Sequence, residues 1–225
     1  MVIMLMYWGV EPSRLFTRHL IIEMVLKLHG TRHTKSINFI TKFCPSRTLR
    51  QYRQKHRHVS MHAINNWAWW ILKGLNYLHG CSPRIIHRDL NCSNIFVEGN
   101  SGILKIGDLG LSCVLGQDGF AHSVVGTSEF MALELYEDNY NELVDIYSFG
   151  IYMLEMVTIE IPYSECSSVA QVYKKVTSGR MPTSLGKVLD PQVRQLIEKC
   201  LAPRMVRPSA AELMMDLVFN HVHLV

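Results

Sequence analysis

His87, Arg88 and Asp89 are followed by Asn94 in the spacing H-R-D-x-x-x-x-N, and "IGDLGLS" brings Asp108 a short way further on. These residue types suit one kind of chemistry. Transfer of a phosphoryl group asks the protein for alignment and charge neutralisation rather than covalent help. A carboxylate must accept or orient the proton of an attacking hydroxyl, and Asp89 stands where it can. Magnesium takes hard oxygen ligands, which Asn94 and Asp108 would supply from two loops. Alone, each is an ordinary loop carboxylate or an Asx-turn amide. The order of four segments, with "GTSEFMALE" and "DIYSFG" completing it, carries the reading.

The elements that must position these residues are legible around them. Ile64, Trp67, Ala68, Ile71, Leu72, Leu75 and Leu78 recur at helical spacing, with Ser60 as N-cap and Gly80 as a left-handed stop. "IFV" and "ILKI" flank "EGNSG" and predict a hairpin directly after the H-R-D loop. Residues 108–142 are polar and loop-like, whereas "DIYSFGIYMLEMV" is apolar nearly all round and predicts a helix at the domain centre. Asp190 with Pro191 and Ser209 with Glu212 mark the starts of two further helices. The basic run "RTLRQYRQKHRH" predicts the solvated face of a helix, and His58 and His62 a surface histidine pair. Trp67 fits the buried stripe, Trp69 does not and Trp70 falls at its margin, and exposed tryptophan there would mark a partner surface or drift.

Composition sets the outer bounds. The 225 residues are 48% hydrophobic and 19% charged, which is globular and not disordered. A net charge of +4 is too mild to suggest a nucleic-acid binder. Six cysteines without a C-x-x-C pair predict free thiols in a reducing, cytoplasmic setting. "MVIMLMYWGV" lacks a basic start and a cleavage site, so a buried strand is expected there rather than a signal peptide, and no apolar run is long enough for a membrane span.

The segments "LRQYRQKH", "GLNYLH", "IIHRDLNCSNIFVEGNSGILKIGDLGLS", "VVGTSEFMALELYEDNYNELVDIYSFGIYMLEMVTIEIPYSEC", "AQVYKKVTSG" and "EKCLA" resemble the WNK (with-no-lysine) serine/threonine protein kinases, especially plant members, from about residue 35 to about residue 215. The resemblance implies an α+β, protein-kinase-like fold, with a residual N-lobe over residues 1–43 and a helical C-lobe over 44–225. It implies ATP and Mg2+ as cofactors and protein substrates, other kinases among them. Asp89 would be the base, and Asn94 and Asp108 the metal ligands. Ser123 resembles the activation-loop serine that becomes phosphorylated, with Arg88 to pair with its phosphate. Thr127 resembles the threonine that favours serine and threonine substrates. Glu134 and Arg207 resemble the buried ion pair that braces the activation segment, and Asp145 the aspartate that holds the catalytic-loop backbone. Leu109 and Leu111 resemble the leucines beside an inhibitory chloride site, with plain core packing as the alternative. Thr41, Lys42 and Cys44 would form the gatekeeper and hinge.

The pattern also breaks. Asn91 replaces the catalytic-loop lysine, Ser93 an aspartate, and Ser128 and Leu133 prolines. There is no G-x-G-x-x-G. Only about forty residues precede "FITKFC", few for a five-stranded sheet and a helix. "MYWGV" and "SRLFTRHLII" resemble remnants of a strand and of helix C, with Arg18 where the family has glutamate. Two readings therefore stay open at this level: a WNK-type kinase, or a catalytically impaired pseudokinase or truncated product that binds partners. The sequence sets no oligomeric state.

Overall fold

The computed structural model describes residues 48–97, 104–116, 118–137, 139–220 and 222. Thr41, Lys42, Cys44, Arg18 and the residual N-lobe lie outside these residues. The core is built on the most apolar helix. Val144 to Met156 of α4 (Leu143–Thr158) are all buried, so the helix is wrapped on every side. Helices α2 (Met61–His79) and α6 (Pro191–Cys200) pack against it. The approach of α6 requires Gly150, where a Cβ would lie 2.6 Å from the Cβ of Cys200. The helical stripe of α2 faces inward as its spacing predicts, with Ile64, Ala68, Ile71, Leu72, Leu75 and Leu78 buried.

Capping follows the sequence closely. Ser60 accepts from the Ala63 amide, Asp190 from the amides of Gln192 and Val193 ahead of Pro191, and Ser209 and Glu212 form a reciprocal box at α7 (Ala210–Leu213). The stop at Gly80 is corrected in detail. Its φ is −86°, right-handed, and its amide closes a last turn onto the Asn76 carbonyl.

Two small antiparallel ladders position the chemistry. One is the expected hairpin, β2 (Ile95–Val97) with β3 (Leu104–Ile106). The other pairs β1 (Ile85–Ile86) with β4 (Cys113–Val114), strands too short to leave a pattern in the sequence. Residues 87–94 connect β1 to β2, and residues 107–112 connect β3 to β4. Because β1 holds β4 and β2 holds β3, the two loops are clamped side by side at both ends.

The basic run is a solvated helix face only in part: Gln51, Gln54, Lys55, His56, Arg57 and His58 are exposed, but Arg50 and Arg53 turn inward. It forms α1 (Leu49–Lys55), capped by Thr48 and Gln51, with Arg53 buried. Arg50 meets Glu155 through two bonds of 2.7 and 3.1 Å, and Arg53 donates twice to the Met156 carbonyl. That hydrogen bond to Glu155 raises the Arg50 pKa, while burial lowers that of Arg53. Trp69 and Trp70 depart from expectation, since they, like Trp67, are half-buried and not exposed. Trp67 meets Tyr52 edge-on, Trp69 packs on the core, and Lys73 sits over the rings of Trp69 and Trp70. The five cysteines among the described residues are free.

Candidate active site

Asp145 organises the site from below. It is fully buried at the start of α4, and its Oδ1 accepts the Arg88 amide at 2.8 Å while Oδ2 accepts the His87 amide at 2.8 Å. His79, the last residue of α2, lies 2.9 Å from the same Oδ2. Burial opposes ionisation of this carboxyl, but the His79 contact and the amide bonds outweigh it and hold the pKa below its ordinary value. Two amides fixed by one carboxylate stabilise an unusual backbone, for Arg88 has φ of +68°. A left-handed non-glycine residue costs about 1–3 kcal/mol unless its surroundings dictate it. The buried His87 ring adds a tie to the second loop. Its Nε2 faces the Gly107 carbonyl at 3.0 Å and its Nδ1 the Asp89 amide at 3.3 Å, a pairing that selects the Nε2–H tautomer.

Asp89 is oriented by four donors. Oδ1 accepts from the Thr127 amide (3.1 Å), the Thr127 hydroxyl (2.6 Å) and Asn91 Nδ2 (3.1 Å), and Oδ2 from Asn94 Nδ2 (2.7 Å). Oδ2 therefore keeps a free lone pair for an incoming hydroxyl. Thr127 reaches the carboxylate because Gly126 precedes it. At φ of +129°, with a Cβ position only 2.7 Å from the Arg88 carbonyl, that residue must be glycine.

Asn91 is explained by its partners. Nδ2 is spent on Asp89, on both its side chain and its carbonyl, and Oδ1 accepts the Ser93 amide at 2.8 Å. The residue braces the loop, and no amide hydrogen is left over for a phosphate. Among the described residues Asn94 bonds only through Nδ2, which leaves its Oδ1 for a cation. The Gly107 amide donates to the Asn94 carbonyl at 2.8 Å and sets Asp108 beside it. Asp108, at φ of +58°, accepts one long bond from the Gly110 amide. One amide oxygen and one carboxylate form a hard-oxygen pair that suits Mg2+, an ion usually held by few protein ligands plus water and phosphate.

Above this floor lies the activation segment. Arg88 donates to the Leu111 carbonyl, to Ser123 Oγ and to Tyr140 Oη (3.1 Å). Tyr140, completely buried, donates to the Ser123 carbonyl at 2.7 Å and pairs its backbone with Ala121. Tyr140 and His79 are the site residues that sequence reasoning misses. An aromatic in the otherwise polar stretch 137–142 is the only signal of the first, and the "YLH" ending of α2 of the second. Further along, Arg207 grips Glu134 with both terminal nitrogens, and both residues are buried. Leu109 is half-buried and Leu111 exposed. His62 bonds Asn66 within α2, and no group of three metal-ligating side chains occurs among the described residues.

The helical lobe thus carries a fixed carboxylate on one loop and, beside it, a hard-oxygen pair shared with a second. The protein kinase domain family matches residues 15–219. Serine/threonine-protein kinase WNK8 of Arabidopsis thaliana is 65% identical over 197 residues, covering 86% of this chain and 35% of its own length. Probable serine/threonine-protein kinase WNK10 of the same plant is 64% identical over 184 residues (82% and 35%). Probable serine/threonine-protein kinase WNK5 of Oryza sativa subsp. japonica is 54% identical over 220 residues (93% and 67%). The chain belongs to the protein kinases and, within them, to the plant WNK serine/threonine kinases. It spans about a third of the length of the two Arabidopsis relatives and about two thirds of the rice one.

Proposed function

We propose that this chain transfers the γ-phosphoryl group of ATP to serine or threonine hydroxyls of protein substrates, other kinases among them, in cytoplasmic signalling. The observation that carries the reading is the fixed Asp89 carboxylate, with the free oxygens of Asn94 and Asp108 beside it. Asp89 Oδ2 accepts the proton of the attacking hydroxyl, and the hydroxyl oxygen forms the new bond to the γ-phosphorus as the bond to the β,γ-bridging oxygen breaks and ADP leaves. Thr127, bonded to the same carboxylate, borders the place of the acceptor and favours a hydroxyl on a short side chain. Asn94 and Asp108 would hold Mg2+, which neutralises phosphate charge when bound. Ser123, already touched by Arg88, is the regulatory site. Leu109 and Leu111 stay the candidates for chloride contact, supported by their lying outside the core. Free thiols support the cytoplasmic setting. No described helix is long and apolar enough to cross a membrane. No feature of the described residues favours the non-catalytic alternative over this reading.

Calorimetric titration of the full chain with ATP, with and without magnesium, tests it, followed by phosphotransfer assays beside Asp89→Asn. Magnesium-dependent binding and activity abolished by Asp89→Asn are expected. A folded chain that binds no nucleotide would return the pseudokinase reading.

A further inference from the structure

The segment that carries Thr127 continues through a 3-10 turn, Ser128–Phe130, into α3 (Leu133–Tyr136) and there forms one wall of a groove of about 310 Å³. Leu133, Tyr163, Val176 and Met181 give it apolar walls, and Leu133 and Met181 are exposed on its rim. Val176 comes from α5 (Val169–Thr177). The volume is at the lower end for a ligand pocket, enough for one or two large side chains.

Charge decides what fits it. The buried pair of Glu134 and Arg207 is neutral within itself. Arg204 is held by the Asn139 carbonyl and lies over the Phe120 ring. Arg180 is different. Its backbone is pinned at both ends, the amide to the Lys175 carbonyl at 2.9 Å and the carbonyl by Tyr163 Oη at 3.1 Å. Its guanidinium has no acceptor among the described residues. The same residue lines an adjoining cavity of about 350 Å³ with Lys174 and Lys175. Lys175 is satisfied by Glu165 at 2.6 Å, whereas Lys174 is exposed and has no ion pair among the described residues. On the groove itself Glu137 is the one lining carboxylate without an ion-pair partner among the described residues. Arg180 on the wall shared by the cavities and Lys174 in the second one outweigh it.

We infer that this double groove docks a linear segment of a partner protein, in which an apolar side chain enters between Leu133 and Met181 and neighbouring carboxylates meet Arg180 and Lys174. An extended peptide fits an open groove that continues into a second cavity better than a compact ligand does. The inference requires no phosphotransfer, so it stands apart from the catalytic reading.

Peptide display of random dodecamers on the full chain, with counter-selection on Arg180→Glu, tests it. Selected sequences are expected to carry an apolar residue within a few positions of Asp or Glu. By fluorescence anisotropy their synthetic copies should bind the wild-type chain about tenfold more tightly than Arg180→Glu or Met181→Asp, and more weakly as salt rises. Unchanged thermal melting of both variants confirms that the groove and not the fold was altered. Selection of basic sequences, of binders indifferent to both substitutions, or of none at all would overturn the inference.

Discussion

Residues 87–94 and residues 109–130 meet at Asp89, yet they are held by different means. The first loop is fixed by the fold: ladders at both ends, a buried carboxylate under two successive amides, and the Arg50 amide on the Cys92 carbonyl. The second shares the β1–β4 ladder and a backbone bridge from Ala121 to Tyr140, but beyond residue 121 it is held by side chains, at the Arg88–Ser123–Tyr140 node and at Thr127, with Val124 exposed between them. The Asp89 loop is therefore part of the domain's stability, whereas residues 122–130 rest on a few polar bonds that can be changed without unfolding the protein.

The sharpest way to break this contrast is Asp145→Ala. It leaves two loop amides and His79 without their acceptor, and should cost about 4 kcal/mol of unfolding free energy in urea titration, with loss of phosphotransfer. A loss under about 1 kcal/mol would show that the loop does not depend on α4. The pH dependence has a definite sign. The folded pKa of Asp145 lies below its ordinary value of 3.8, so its stabilisation is complete above that value and is withdrawn as pH falls through the folded one. Asp145→Asn should flatten that acid limb.

Glu134→Ala comes next, at about 3 kcal/mol, because it leaves the Arg207 charge buried and unpaired. It marks the deep anchor at the end of the activation segment, so equilibrium unfolding should report a global loss. If only local exchange changed, the ion pair would belong with the surface contacts.

Asn91→Lys tests the loop's one chemical departure. Restoring a cation should raise phosphotransfer by up to about 10², the scale for one charge-stabilising donor, while releasing the brace on Asp89. An unaltered rate would locate the limitation outside the catalytic loop.

Tyr140→Phe should have the smallest and most local effect. Loss of one hydroxyl network is worth about 1 kcal/mol, seen as about fivefold faster amide exchange in residues 109–126 with residues 87–94 unmoved. Ser123→Asp, which sets a carboxylate against Arg88, should shift the same segment toward slower exchange. Equal changes in both loops on either substitution would erase the distinction between them.

The sequence by itself determined the features that depend on near neighbours. Apolar spacing set α2 and α4, side-chain oxygens set the caps at Ser60, Asp190 and Ser209, and the ordered motifs named Asp89, Asn94 and Asp108. Tertiary structure decided whatever depends on a partner far along the chain. Arg50 and Arg53 read as solvated because Glu155 and the Met156 carbonyl, which receive them, lie about a hundred residues away. The β1–β4 ladder was invisible because two residues carry no period. Asn91 read as a missing charge, and only its bonds to Asp89 and Ser93 show it as a brace. A side chain's type fixes what it can bond, but the fold alone decides which groups come within reach, and at this site those groups are drawn from α2, α4, both loops and the activation segment.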